Sequence, residues 1–277
     1  MHTTRSEMGR TQDVHCCRGP CLTPDYREIN RRAWAELADH GYPSTRPYGP
    51  HHLSRARELL DPQEWISWDT VKSVLCLGAG GGQQVPLLAS LGYRVTAVDL
   101  SPEQLERDWA VAEKLGLEVE LIEGDMADLS ALHGREFDLV YQAISACYLP
   151  DVRQLYGEIT RVLRPGGHYR VEHANPVSLQ LSDPNGWDGN GYRLVRPQGA
   201  EQPVAWTLPG GPNSPPCWHY IHPLDDLIGG LGDAGFVLLH FAERKAADPS
   251  AEPGTYGHLA SYVPPFLTLV AQLGHPG

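Results

Sequence analysis

Short apolar runs alternate along this chain with longer segments in which apolar residues recur at helical spacing. A run of four to eight apolar residues has the length of a strand that is buried on both faces. Helical segments between such strands are typical of a sheet with helices packed on each side. The pattern therefore predicts a doubly wound, mostly parallel α/β fold with seven strands. The predicted strands lie at 71–77, 95–98, 119–122, 137–142, 168–172, 236–241 and 262–271.

Residues that start helices separate several of these runs. Ser101 is followed three residues later by Gln104, which is the pattern of a capping box at a helix start. Trp109 is spaced to face the sheet from the helix that follows. A further helix is predicted at 126–132, and Asp125 can act as its N-cap.

The N-terminal part of the chain is organised differently. Residues 1–22 show no periodicity, and we expect them to form a flexible leader. An amphipathic helix is predicted at 23–40, with Thr23 as its N-cap and Pro24 at its first position. A shorter helix is predicted at 50–60.

A long segment between the fifth and sixth strands is rich in Gly, Pro, Asn and Trp. It spans about 177–218 and has little helical periodicity, which is typical of a lid or an added hairpin. Residues 192–195 and 204–207 are predicted to pair as the two strands of that hairpin.

Candidate chemistry is concentrated after the first strand. Gly78, Gly80 and Gly82 allow a tight turn that a ligand can approach closely. Asp99, about twenty residues further on at the end of the second strand, can bind the two hydroxyls of a ribose. Gln83 stands where a dinucleotide-binding fingerprint has its third glycine, and no phosphate-loop Lys-Ser/Thr pair follows. The turn therefore indicates a ligand that contains a nucleoside, although a glycine-rich turn also occurs in other doubly wound domains.

The segment Leu77-Gly78-Ala79-Gly80-Gly81-Gly82 resembles the first motif of class I S-adenosylmethionine-dependent methyltransferases. Cys76 stands where that family usually has an acidic residue, so we expect Gln83 or Gln84 to help to orient the glycine turn by hydrogen bonding. Gly124-Asp125 and the segment Leu163-Arg164-Pro165-Gly166-Gly167 follow at the places where the family has its later motifs.

The resemblance covers about 23–273 and implies an architecture. It implies a Rossmann-like sheet whose last strand runs antiparallel between the fifth and sixth strands. Within a domain at 23–277, it implies an N-terminal helical cover at 23–65 and a substrate cap inserted at 177–218.

The resemblance also implies S-adenosyl-L-methionine as the cofactor. Asp99 is expected to bind its ribose, Asp125 to accept from the adenine amine, and Met126 to lie against the adenine ring. The other expected cofactor contacts are Gly78, Gly80, Gly82, Gln83, Leu100 and Gln142.

Methyl transfer requires a general base only where the accepting atom is protonated at working pH. Such a base belongs near the end of the fourth or fifth strand or in the cap. Histidine suits proton transfer near neutral pH. We expect the catalytic residues to be His173, His222 and Tyr148, with His219 and Glu172 as further candidates.

Composition narrows the choice of partners. The formal net charge is -12 and no basic run exceeds two residues, which argues against long nucleic acid as a substrate. No apolar run approaches the ~20 residues of a membrane span, and the N-terminus lacks the apolar core of a signal peptide. We therefore expect a cytoplasmic protein that acts on a small organic molecule. The sequence does not indicate an oligomeric state.

A group of thiols lies in the leader, where Cys16, Cys17 and Cys21 follow His15. The group lacks a second ligand pair at zinc-site spacing, so we expect incidental thiols and no metal site.

Two other functions remain alternatives to an S-adenosylmethionine-dependent methyltransferase. Cys76, in place of the usual acid, leaves room for a protein that binds the cofactor without catalysis. A nucleotide-dependent oxidoreductase is less consistent with the glycine spacing.

Overall fold

The computed structural model describes residues 25–182, 186–199, 203–207, 216–244 and 247–274. Its strands are β1 Ser73–Leu77, β2 Arg94–Asp99, β3 Val119–Glu123, β4 Phe137–Gln142, β5 Leu163–Ala174, β6 Val204–Thr207, β7 Pro216–His219, β8 Phe236–Arg244 and β9 Phe266–Leu273. Seven of them form one sheet in the order β3-β2-β1-β4-β5-β9-β8, and β6 pairs with β7 in a separate hairpin.

Helices cover both faces of the sheet. They are α1 Tyr26–Asp39, α2 Pro50–Leu53, α3 Ala56–Leu60, α4 Gln84–Ser90, α5 Pro102–Leu115, α6 Val152–Val162, α7 Pro176–Gln180, α8 Gly230–Asp233 and α9 Tyr256–Ala260. A π-helical turn, Asp225–Gly229, leads into α8. One core cluster lies between the sheet and α6 and α8, and a second lies between the sheet and α3 and α4. Among the described helices, none is long and apolar enough to cross a membrane.

The predicted fold class is confirmed. The strands β1 to β5 pair in parallel, and β9 lies antiparallel between β5 and β8. The carboxyl ends of β1, β2 and β4 therefore meet at one edge of the sheet. In an open α/β sheet this edge is where ligands bind.

Two predictions around α5 and β3 are wrong. Trp109 is 53% exposed because the buried stripe of α5 runs through Gln104, Leu105, Asp108 and Ala112, one position away. That stripe carries polar residues because it also faces the glycine turn.

The helix predicted at 126–132 is a turn followed by a single 3₁₀ turn, Ser130–Leu132. Asp125 accepts a hydrogen bond from the N–H of Ala127, and Glu158 accepts one from the N–H of Leu129. These side chains satisfy backbone donors without a continuous α-helix.

The predicted hairpin has the wrong partner strand. Val204–Thr207 pairs with Pro216–His219, whereas Leu194 forms an isolated bridge with Leu181. Burial explains the choice, because β7 places Cys217 in a small apolar cluster with side chains of α1.

The N-terminal helices are close to their predicted positions. Asp25 is the N-cap of α1 and accepts from the N–H of Arg27. The predicted cap Thr23 and the predicted first residue Pro24 lie outside the described residues. The helix predicted at 50–60 is divided into α2 and α3. The leader at 1–22, with its His and Cys cluster, lies outside the described residues.

Candidate functional site

The turn between β1 and α4 is built from glycines with positive φ. The φ angles of Gly78, Gly80, Gly81 and Gly82 are 63°, 78°, 67° and 90°. A Cβ atom at Gly78 would lie 2.7 Å from the Cβ and Oγ of Ser145. The turn therefore requires glycine both for its backbone angles and for its packing at the end of β4.

Asp99 ends β2 beside this turn. It accepts a hydrogen bond from the N–H of Ser101 at 2.8 Å. Burial raises the pKa of Asp99 to about 6, although hydrogen bonds from the N–H groups of Ser101, Ala79 and Gly80 oppose the increase. The carboxylate is thus fixed at the ligand-binding edge and remains mainly ionised at neutral pH.

Asp125 holds the N-terminal cover against the sheet. Its Oδ2 accepts from the hydroxyl of Tyr26 at 2.5 Å and from Nε of Arg27 at 2.6 Å, while Oδ1 accepts from Ala127. The residue expected to recognise adenine is therefore also the docking point of α1. Sequence reasoning missed Tyr26 and Arg27 because they lie about a hundred residues away from Asp125 in the chain.

Gln142, at the end of β4, is completely buried. Its amide nitrogen donates to Oγ of Ser145 at 2.8 Å and contacts Sδ of Met126 at 3.2 Å, and its oxygen accepts from the hydroxyl of Tyr169. This network brings Met126 and Gln142 together below the glycine turn. Leu100 follows Asp99 and is half-buried.

The cover also lies directly on the glycine turn. Nε2 of Gln83 donates to the carbonyl oxygens of Pro43 at 3.1 Å and Arg46 at 3.0 Å, and the N–H of Tyr48 donates to the carbonyl of Gly82 at 2.8 Å. Gln83 therefore anchors the cover. Its expected contact with the cofactor stays a prediction.

We expect Gly82→Ala to destabilise the protein more than Gly92→Ala does. Both glycines have φ near +90°, but a Cβ at Gly82 would lie 2.9 Å from Cβ of Pro47, whereas nothing lies within 4 Å at Gly92. The shared backbone strain costs about 1–2 kcal/mol, and the steric conflict adds about 1–3 kcal/mol. Thermal unfolding of the two variants measures the difference. Equal melting temperatures would show that the cover does not press on the turn.

Three buried acceptor oxygens near the turn have no hydrogen-bond donor among the described residues. They are Oε1 of Gln84, Oε1 of Gln104 and Oδ2 of Asp108. Gln84 and Gln104 lie beside the turn, because Cβ atoms at Gly80 and Gly81 would lie 2.8 Å and 2.0 Å from these amide oxygens. Such acceptors fit a ligand that carries hydroxyl and ammonium donors, as a nucleoside joined to an amino acid does.

Comparison with known proteins agrees with this geometry. Residues 75–171 match a family model described as a methyltransferase domain. The chain is 32% identical over 197 residues to the uncharacterized methyltransferase YbaJ of Bacillus subtilis (strain 168), across 66% of this chain and 73% of that protein. The chain belongs to the S-adenosylmethionine-dependent methyltransferases.

Two further proteins resemble this methyltransferase. It is 30% identical over 250 residues to the sterol 24-C-methyltransferase ERG6A of Gibberella zeae, across 89% of this chain but only 54% of that protein. A crystal structure of a putative S-adenosylmethionine-dependent methyltransferase from Listeria monocytogenes has the same fold. Its TM-score is 0.58 at 16% identity, across 80% of this chain and 99% of that one.

In this methyltransferase, α1 is joined to the hairpin strand β7 through Asn30, which lies on α1 and is 2% exposed. Oδ1 of Asn30 accepts from the N–H of Trp218 at 2.7 Å, and Nδ2 donates to the carbonyl of Trp218 at 3.2 Å. The side chain thus pairs with β7 as a neighbouring strand would. Around this link, Trp34 and Tyr148 pack edge to face with ring centres 5.8 Å apart, and Tyr148 and His219 do so at 5.0 Å.

His173 lies on the core side of β5. It is 2% exposed, and its Nε2 is 3.1 Å from the hydroxyl of Tyr156. Because that hydroxyl donates to the carbonyl of Leu227 at 2.9 Å, Nε2 of His173 acts as the donor. Burial, with a contribution from His222, lowers the pKa of His173 to about 3.

His222 and Tyr148 belong to the segments that close over the end of β4. Burial lowers the pKa of His222, against hydrogen bonds with the carbonyls of Leu149 and Ala146, so the ring is neutral at pH 7. Its Nε2 is buried without a hydrogen-bond partner among the described residues. Burial raises the pKa of Tyr148 well above its usual value. His222 can therefore accept a proton, whereas Tyr148 keeps its own.

The other titratable candidates have different surroundings. Burial lowers the pKa of His219 to about 3. Glu172 is paired with Arg170 at 3.0 Å and Arg244 at 2.9 Å, so it already has two cationic partners. Within the described part of the chain, no three His, Cys, Asp or Glu side chains are placed to hold a metal ion.

Proposed function

We propose that this methyltransferase transfers the methyl group of S-adenosylmethionine to a small organic acceptor held between the strand ends and the joined cover and cap. The observation that carries the proposal is the reciprocal pairing of Asn30 with Trp218, which brings α1 and β7 together over the end of β4. Because α1 is bound both to Asp125 and to Trp218, it is suited to enclose a small acceptor. When bound, the cofactor supplies a methyl group that its sulfonium has already activated.

The residues expected to hold the cofactor surround the glycine turn. Asp99 offers a carboxylate for the ribose, and Asp125 offers one at the end of the neighbouring strand. The protein's part in the reaction is to align the acceptor atom with the methyl group and to exclude water. The rings of Trp34 and Tyr148 supply apolar surface for this purpose.

The chemistry of the acceptor is suggested by the same side chains. Aromatic rings favour an apolar or planar framework, and the net charge of -12 disfavours a polyanion. The relative from Gibberella zeae is named for a sterol, which agrees with an apolar acceptor. A cytoplasmic location stays a prediction of the sequence.

The proposal is tested by incubating the protein with S-adenosylmethionine and a panel of small phenols, amines, thiols and sterols. Formation of S-adenosylhomocysteine that depends on one acceptor class is the expected result. Tight binding of the cofactor without turnover across the panel would favour a non-catalytic cofactor-binding protein instead.

Among the expected catalytic residues, His222 is best placed to act as the base. Its neutral ring has a buried Nε2 that no described donor occupies. For an acceptor that is protonated at neutral pH, we expect His222→Gln to lower kcat about 100-fold, within the usual range for loss of a general base. The affinity for S-adenosylhomocysteine should remain within about threefold of the wild type.

His133→Gln is the matched control, because His133 is exposed and precedes the amino-terminal end of β4, whereas ligands bind at the carboxyl ends of the strands. It should leave kcat unchanged. An unchanged kcat in His222→Gln as well would mean that the acceptor reacts without a base at this position.

A further inference from the structure

Asp108 is a buried carboxylate to which neither the resemblance nor the proposed reaction assigns a role. It lies on the inner stripe of α5 and has no exposed surface. Its Oδ1 accepts a hydrogen bond from the N–H of Gly82 at 2.7 Å, while Oδ2 is buried with no hydrogen-bond partner among the described residues. Burial, with a contribution from Asp99, raises the pKa of Asp108 well above its usual value, against the hydrogen bond from the N–H of Gly82. A buried carboxyl group with an unpaired oxygen lowers stability. Retaining such a group at a ligand-binding turn points to a function there.

The first strand cannot provide a carboxylate to the same turn. Cys76 is 1% exposed, and burial, with the nearby charges of Asp108 and Asp99, raises the pKa of its thiol well above the usual value. The side chain is therefore an uncharged thiol, which is a weak hydrogen-bond acceptor. Both carboxyl groups are close enough to Cys76 to affect its pKa.

The two carboxylates divide the backbone donors of the turn between them. The N–H groups of Ala79 and Gly80, at the start of the turn, lie close enough to Asp99 to lower its pKa. Asp108 accepts from the N–H of Gly82, at its end. This hydrogen bond fixes the N–H of the last glycine before α4 begins.

We propose that Asp108 is a positioning residue for the cofactor, and that it supplies from α5 the carboxylate that Cys76 cannot supply from β1. By holding the N–H of Gly82, it keeps the turn in the conformation that exposes its other backbone groups to the cofactor. The assignment depends on the cofactor of the family and not on the identity of the methyl acceptor. It predicts that the acid can be moved back to β1 without loss of binding.

The test measures binding of S-adenosylhomocysteine by calorimetry, with melting temperature as a check of folding. We expect Asp108→Ala to weaken binding about tenfold, which corresponds to the loss of one hydrogen bond. The double variant Cys76→Asp/Asp108→Ala should bind within about threefold of the wild type. Glu106→Gln removes an exposed acid from the same helix and should change nothing.

Two results would overturn the assignment. One is a folded Asp108→Ala variant with wild-type affinity, which needs no other variant for its interpretation. The other is a folded double variant that binds no better than Asp108→Ala, because a merely structural role for Asp108 predicts no rescue. A wild-type chain that bound no S-adenosylhomocysteine would overturn the cofactor assignment itself, and that outcome is distinct from a loss confined to the variants.

Discussion

Replacement of Asp99 by alanine is expected to weaken the binding of S-adenosylhomocysteine by about 100-fold or more. The carboxylate is placed to accept from both ribose hydroxyls, and hydrogen bonds to a charged group are worth about 1.5–3 kcal/mol each. The nearby N–H groups of Ala79 and Gly80 favour its ionised form, so its loss also removes a favourable interaction with the glycine turn. Isothermal calorimetry on the purified variant measures the effect directly.

Glu123→Gln is the matched control for this experiment. Glu123 ends β3 and pairs with Asp99 in the strand register, but its side chain is exposed. It should leave the affinity within about twofold, since an exposed charge contributes little. If Asp99→Ala bound S-adenosylhomocysteine as tightly as the wild type, the ribose would not bind at Asp99.

The second large effect is a loss of stability in acid that depends on His173. Burial, with a smaller contribution from His222, lowers its pKa from 6.5 to about 3 in the folded protein. The unfolded chain therefore binds a proton more readily than the folded one between these values. The stability from the neutral ring is present above pH 6.5 and is lost as the pH falls towards 3. Between pH 7 and pH 5 this single residue accounts for about 2 kcal/mol.

We expect His173→Gln to be less stable than the wild type at pH 7 and to lose about 2 kcal/mol less on acidification to pH 5. Glutamine retains an N–H donor for the hydroxyl of Tyr156 but does not titrate. Urea unfolding of both proteins at several pH values measures the difference. Parallel stability curves would contradict a buried neutral histidine. The same variant also tests His173 as a catalytic residue, because loss of its proton acceptor would lower kcat at every pH.

The central strands β1, β2 and β4 could be predicted because each is an apolar run that the domain buries. The place of the last strand, antiparallel between β5 and β8, was implied by the family resemblance and not by the apolar runs. Trp109 was assigned to the wrong face because the buried stripe of α5 includes Gln104 and Asp108. A periodicity argument counts such residues as solvent-facing, although these two face the glycine turn.

The candidate site could be predicted only in part. Gly78, Asp99 and Asp125 follow strands directly, so their position at one edge of the sheet follows from the fold. The contacts of the cover do not, because Asn30 meets Trp218 across 188 residues and Tyr26 meets Asp125 across 99. Single polar side chains that pair over such distances produce no local periodicity. The partner of β6 was missed for the same reason, since a contact with α1 fixes it.

One consequence of the α1 contacts concerns the order of the catalytic cycle. Tyr26 and Arg27 of this helix bind Asp125. Asn30, four residues after Tyr26, binds Trp218 on β7. A ligand that binds Asp125 competes with Tyr26 and Arg27 for the same carboxylate. An acceptor bound beneath β7 acts on the contact between Asn30 and Trp218. The two binding equilibria are then linked, and thermodynamic reciprocity requires each ligand to change the affinity of the other by the same factor. Through that linkage, α1 couples the exchange of the cofactor to the binding of the acceptor.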